Sequence, residues 1–263
     1  MTKKVLLVGE SWVTSETHYK GFDQFGSVHY HLGATPLVDA LKGSAFELTY
    51  MPAHEAADHF PFEMEGLDAY DIIILSDIGA NTLLLPPAVW QQSKTVPNRL
   101  KLIKAWVEKG GGLLMCGGYF SFQGIDGKAR WRRTAVEDVL PVTCLPWDDR
   151  VEIPEGTTPD ILMADHPMLA GISGEWPVML GVNEVELRER DPDNVHRGRR
   201  VAHVVQKVEV VADERPCRLL ARLWRMRRRG ALRRPSAGGQ QLLQRLPREA
   251  ANLDQHGLHR RRR

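Results

Sequence analysis

The chain has 263 residues, of which 43% are hydrophobic and 26% charged; this excludes wholesale disorder and leaves room for one large α/β domain or two small ones. The formal net charge of +2 conceals a split: residues 1–190 hold 16 Lys and Arg against 26 Asp and Glu, and residues 191–263 hold 19 against 7. Arginine rises from 7 residues in the first segment to 18 in the second, where Trp224 is the only aromatic. The chain therefore reads as an α/β domain over 1–190 followed by an arginine-rich tail over 191–263.

Three widely spaced cysteines, Cys116, Cys144 and Cys217, form neither a disulfide framework nor a C-x-x-C metal site. The apolar run Val5-Leu6-Leu7-Val8 is too short for a signal peptide, and no stretch approaches the ~18 apolar residues of a membrane span. A cytoplasmic protein with no membrane partner is expected.

Near-continuous apolar runs recur along the first segment: Val5-Leu6-Leu7-Val8, Phe46-Glu47-Leu48-Thr49-Tyr50, Ile72-Ile73-Ile74-Leu75 and Leu113-Leu114-Met115-Cys116. Strands buried on both faces have this character, which is the mark of a parallel sheet covered by helices. Between them, Thr35 and Pro36 open a helix that Gly43 stops, and residues 99–109 carry Leu100, Ile103, Trp106 and Val107 at helical spacing before three glycines. The order β-α-β predicts a doubly wound, mostly parallel α/β sheet. Segment 14–33, with His18, His29 and His31, shows no clean periodicity and reads as a long loop, either a lid or surface decoration. A short helix is expected over 134–140, extended pieces over 141–147 and 150–153, a turn at 165–171 containing His166, and further strands over 176–188.

Ligands of doubly wound sheets sit beyond the carboxyl ends of the strands. Those ends carry Gly9, Glu10 and Ser11; Ser76, Asp77 and Asn81; and Gly117, Gly118, Tyr119 and Gln123. All three are rich in glycine and small polar groups, as close backbone approach to a ligand requires. Glu10, Ser11, Asp77, Asn81, Gly117, Gly118, Tyr119 and Gln123 are thus the candidate ligand-binding residues for a small molecule. His29 and His31 have no further ligands placed to help them, so neither a metal nor a cofactor is expected.

At these strand ends the sequence resembles the class I glutamine amidotransferase-like family, and within it a bacterial branch of amidotransferase-like proteins. The blocks that carry the resemblance are 5–12, 75–84, 110–124 and 165–171, within a span of about residues 3–190. The resemblance implies a flavodoxin-like fold. In the family's active members a cysteine in a G-x-C-x-G strand-to-helix elbow is the nucleophile, assisted by a late His-x-Glu pair; the turn exposes the thiol and backbone N–H groups hold the oxyanion. Two registers compete here. Matching cysteine to cysteine makes Cys116 the catalytic residue, with Leu114 where the first glycine belongs. Matching glycines puts Tyr119 at the nucleophile position and leaves Cys116 inside the strand. We favour the second, and a phenol with a pKa of ~10 does not replace a thiolate. A domain lacking glutaminase activity is expected, against an active Cys116-dependent amidotransferase or hydrolase.

The tail's arginine runs would suit nucleic acid, but its composition matches a GC-rich gene read out of frame better. Permitted codons for residues 230–236 and 253–257, shifted one nucleotide forward, encode family-like segments. A frameshift starting between about Asn194 and Arg222 is therefore expected, and nucleic acid is not an expected partner. Loss of the family's terminal strands would leave an open sheet edge; self-association into a homo-oligomer stays open.

Overall fold

The computed structural model describes residues 2–158, 176 and 178–188, together with the backbone of 202–205. The chain divides into two units, Met1–Arg228 and Arg229–Arg263, and the described residues all belong to the first.

Its centre is a parallel sheet. The strands are β1 (Lys3–Gly9), β4 (Phe46–Met51), β5 (Ile72–Ser76), β6 (Gly112–Cys116) and β11 (Ala202–Val205), in the order β11-β6-β5-β1-β4. Chain order 2-1-3-4-5 across a parallel sheet is the flavodoxin-like arrangement, with its topological switch point between β1 and β5. The apolar runs alternate between two layers. Leu6, Val8, Ile73, Leu75, Leu113 and Met115 face one core, and Val5, Leu7, Ile72, Ile74 and Leu114 face the other. Burial on both faces explains why β1, β5 and β6 read as unbroken hydrophobic runs, whereas the edge strand β4 is only half-buried and alternates.

The second core is closed by α1 (Thr35–Leu41), through Ala34, Leu37, Val38 and Leu41. Ala34 is the capping residue and Pro36 lies in the first turn, so the helix starts one residue earlier than a Thr35 cap would place it. On the first core lie α2 (Ala53–His59), α3 (Met64–Asp68), α4 (Ala80–Leu84) and α6 (Arg99–Glu108), while the short α5 (Pro87–Trp90) buries no residue. The Asn98 side chain accepts from the Leu100 and Lys101 N–H groups, satisfying two orphan donors at the start of α6. Leu100, Ile103, Trp106 and Val107 then point at the sheet.

Segment 14–33 is not a loop. It forms an antiparallel hairpin of β2 (Ser11–Lys20) and β3 (Asp23–Leu32) with unbroken register around the turn Gly21–Phe22. The overlooked signal was period-two alternation, Val13-Ser15-Thr17-Tyr19 and Val28-Tyr30-Leu32, masked by histidines on the other face. Two further differences are smaller. The helix expected over 134–140 is a single 3₁₀ turn at Glu137–Val139, and β11 lies within the segment assigned to the tail. The β-branched residues Val204 and Val205 explain this strand; arginine content had hidden them. The extended pieces near 141–153 become β7 (Val142–Cys144) and β8 (Arg150–Thr157), which pair antiparallel with β10 (Val185–Leu187) and β9 (Met179–Asn183). Residues 165–171 and Cys217 lie outside the described residues.

One cation ties the helical layer together. Arg99 is wholly buried. It donates to Ala56 O and Phe60 O at 3.1 and 3.2 Å and to Ala57 O at 3.0 Å, all at the end of α2. It also donates to Leu83 O at 2.6 Å and Thr82 O at 3.2 Å in α4. Carbonyls at helix C-termini have no intrahelical donor and carry partial negative charge, which suits a cation. Phe62 lies under the guanidinium, 4.6 Å from ring centroid to Cζ. Burial pushes Arg99 down to about 10, so it stays charged at neutral pH. Arg99→Met should lower unfolding free energy by about 3 kcal/mol or more, because several buried carbonyls lose their donor at once; urea denaturation reads this directly.

Candidate functional site

The chain leaves β1 through Gly9, at φ 110°, where a Cβ would collide with the Ser76 carbonyl. The next residue, Glu10, sits at φ 48°, and Asp77, after β5, sits at φ 46°. Left-handed backbone is costly for non-glycine residues and persists where the surroundings over-determine it. Two such carboxylates flank the switch point. Each is held: Ser76 Oγ donates to Glu10 Oε1, Glu10 N donates to Ser76 O at 2.9 Å, and Phe120 N donates to Asp77 Oδ1 at 2.8 Å.

Over this edge opens a cleft of about 550 Å³. Ser11, Trp12 and Tyr30 from the hairpin form one side, His54 from α2 a second, and Asn81 and Trp90 from α4 and α5 a third. Ser11 Oγ accepts from the Ala53 N–H at 2.8 Å, docking the start of α2 against the hairpin base. Tyr30 packs edge-on against His54, with its hydroxyl 3.2 Å from Nδ1. None of the residues lining the cleft is Asp, Glu, Lys or Arg. At the end of β1, Tyr50 OH donates to Glu10 O at 3.0 Å.

Of the expected ligand-binding residues, Ser11 and Asn81 line this cleft. Glu10 and Asp77 do not line it and act as strand-end supports, while Gly117, Gly118, Tyr119 and Gln123 form the loop after β6. That loop is clamped from behind. Asn183 Oδ1 accepts from Gly118 N at 3.0 Å, and its Nδ2 donates to Gly118 O at 3.1 Å and Asp149 Oδ1 at 2.7 Å. Asp149 in turn accepts from Gln123 N and Gly124 N. Burial pushes the Asp149 carboxyl above the usual range, while these three N–H donors pull the other way. A Cβ on Gly118 would come within 2.7 Å of Asp77 Oδ1, so the loops after β5 and β6 touch through this glycine. The Gln123 side chain folds back to donate to Gly127 O.

Cys116 is the last residue of β6, opposite Ser76 and Val205, and packs with Leu114 on the α1 side of the sheet. Tyr119 lies in a turn, half-exposed, with the Arg150 guanidinium 5.7 Å from its ring centroid. Neither has positive φ, and no α-helix follows this turn before the 3₁₀ turn at Ile125–Gly127. The structure thus places the sulfur in the strand and the glycines at the bend. Cys144 is buried, which pushes its thiol far up.

Residues missed in the sequence are Tyr30, His54, Thr82 and Trp90. No pattern in the sequence marks Trp90, whose exposure on a four-residue helix only the structure shows.

Comparison with protein families matches residues 4–206 to the family described as "Putative glutamine amidotransferase". The chain belongs to this family. Among solved structures it is similar to Cytoplasmic Protein STM3548 from Salmonella typhimurium, at 45% identity and TM-score 0.68, covering 70% of this chain and 75% of that one. It is also similar to Cytoplasmic Protein STM1381 from Salmonella typhimurium LT2, at 42% identity and TM-score 0.67, covering 71% and 76%. No curated protein matches the chain. Among the described residues no helix is long and apolar enough to cross a membrane, and no group of three or more His, Cys, Asp or Glu is placed to hold a metal.

The Tyr50 phenol on β4 has a titration of its own. Burial raises Tyr50 from 10.0 to about 12. A proton held more tightly in the folded state stabilises the fold fully below the unfolded pKa, and that contribution is lost as pH rises through the folded one. One tyrosine should therefore ionise late by ultraviolet phenolate absorbance, with stability falling between pH 10 and about 12; Tyr50→Phe should remove the late transition.

Proposed function

We propose that this family member binds a small neutral molecule in the switch-point cleft and lacks glutaminase activity. The position of Cys116 as the last residue of β6, partly buried before the glycine bend with a phenol beyond it, supports the second half of this reading. A nucleophile needs exposure at a strained turn and a base that keeps it ionised, and the Gly117–Gly118 bend offers Tyr119 instead. The uncharged, aromatic lining supports the first half. Trp12 and Trp90 offer flat faces, while Asn81, Thr82 and His54 offer hydrogen-bonding groups, a combination suited to a neutral ring-bearing ligand such as a sugar. A cytoplasmic location is part of the proposal, supported by the two Salmonella proteins described as cytoplasmic.

The purified chain should release no ammonia from glutamine, before or after Cys116→Ser, and Cys116 should react slowly with iodoacetamide at neutral pH. Neutral mono- and disaccharides should quench tryptophan fluorescence in the wild type and not in Trp90→Ala. Turnover that disappears in Cys116→Ser would overturn the catalytic half, and a panel of sugars without effect would overturn the ligand class.

We further read the tail as out of frame from a point between about Asn194 and Arg222. The family match stops at residue 206, while the similar Salmonella chain has a quarter of its own length left unmatched. The coding DNA should contain, in a neighbouring frame, a family-like continuation of the domain; an uninterrupted gene without one removes the idea.

A further inference from the structure

The β2–β3 hairpin is about 33 Å long at ~3.3 Å per residue, and its hydrogen bonds and ring contacts to the described domain sit at its base, through Ser11–Ala53, Gly33–Glu10 and Tyr30–His54. Residues directly opposite in an antiparallel pair share a face. One face carries the rungs Trp12–His31, Thr14–His29, Glu16–Ser27, His18–Phe25 and Lys20–Asp23. This face closes on itself, with Trp12 stacked on His31 and His18 stacked on Phe25. It also holds all the hairpin's Asp, Glu and Lys.

The opposite face carries Ser11–Leu32, Val13–Tyr30, Ser15–Val28, Thr17–Gly26 and Tyr19–Gln24. It has no charged residue, yet its large side chains stand in water: Tyr19 is 72% exposed, Val28 69%, Val13 60%, Leu32 49% and Tyr30 48%. Alternation that sends every charge to one side and every aliphatic residue to the other is the pattern of a strand pair with a core on one face. A two-stranded hairpin is marginal on its own.

We infer that this charge-free face packs against the same face of a second copy of the chain about a two-fold axis. Three features favour a copy of itself over a foreign partner. The exposed apolar side chains amount to on the order of 500 Å²; with the intervening Ser, Thr and Gln rungs the face approaches the ~800 Å² each partner gives a stable interface. With no charge on the face, juxtaposing two copies brings no like charges together. The rung sizes are also self-complementary. With the two-fold at Ser15–Val28, the small Thr17–Gly26 rung of one copy receives the large Val13–Tyr30 rung of the other, and the Tyr19–Gln24 rung lies over Ser11–Leu32. Val28 meets its own counterpart. Val13 and Tyr30 also line the cleft, so the second copy borders the cleft's open side.

Sedimentation equilibrium of the full chain should give a dimer. Val28→Glu and Val28→Lys should each give a monomer with an unchanged circular-dichroism spectrum, because each sets like charges face to face at the two-fold. Mixing the two variants should restore a dimer, since opposite charges then meet. A monomeric wild type overturns the proposal, as does a wild-type dimer that both substitutions leave intact. Variants that separate but do not recombine on mixing overturn it too, because Val28 would not then lie at the axis.

Discussion

The geometry of the cleft rests on a buried guanidinium. Arg99 starts α6, yet its side chain reaches the carbonyl ends of both α2 and α4, the helices that carry His54 and Asn81 into the cleft. Two short helices of seven and five residues have little cooperative stability of their own. Their orientation comes from what holds their ends, and a planar group with five fixed donors can hold several carbonyls at once. The aromatic rings of Phe60 and Phe62 replace part of its lost hydration. No ion-pair geometry is needed, because helix C-termini supply the partial negative charge.

A second constraint lies along the sheet's carboxyl edge. Glu10 and Asp77 adopt left-handed backbone at adjacent strand ends, and each turns its carboxylate inward to fasten a neighbour, Ser76 in one case and the Phe120 amide in the other. With Asn183 and Asp149 gripping Gly118, Gln123 and Gly124 from the far side, the loop after β6 is immobilised by hydrogen bonds at both flanks. Here the loop's polar groups are spent on holding one another, and the open, uncharged cleft lies beside it, above the switch point.

Much of this edge was legible in the sequence. Residues 5–8, 72–75 and 113–116 announced a two-sided sheet because burial on both faces leaves no polar alternation, and glycines after each run marked where backbone must approach closely. The preference for Gly117–Gly118 as the bend, which left Cys116 in its strand, was a local steric argument and needed no tertiary information. Ser11 and Asn81 were recognisable as cleft residues by the general rule for such sheets. The hairpin was not: its three histidines broke the apolar pattern that a reader looks for, although the alternate positions 13, 15, 17 and 19 kept it.

The sequence by itself determined the layered α/β plan and the strands whose carboxyl ends form its glycine-rich edge. Both follow from periodicity and from backbone sterics within a few residues. The tertiary structure alone decided which elements meet around the cleft: a hairpin from residues 11–32, two short helices joined through Arg99, and Trp90. The hairpin, α2 and α4 are each separated by about twenty residues, and no local pattern records that a buried cation will find five carbonyls or that a charge-free strand face will stay largely exposed among the described residues.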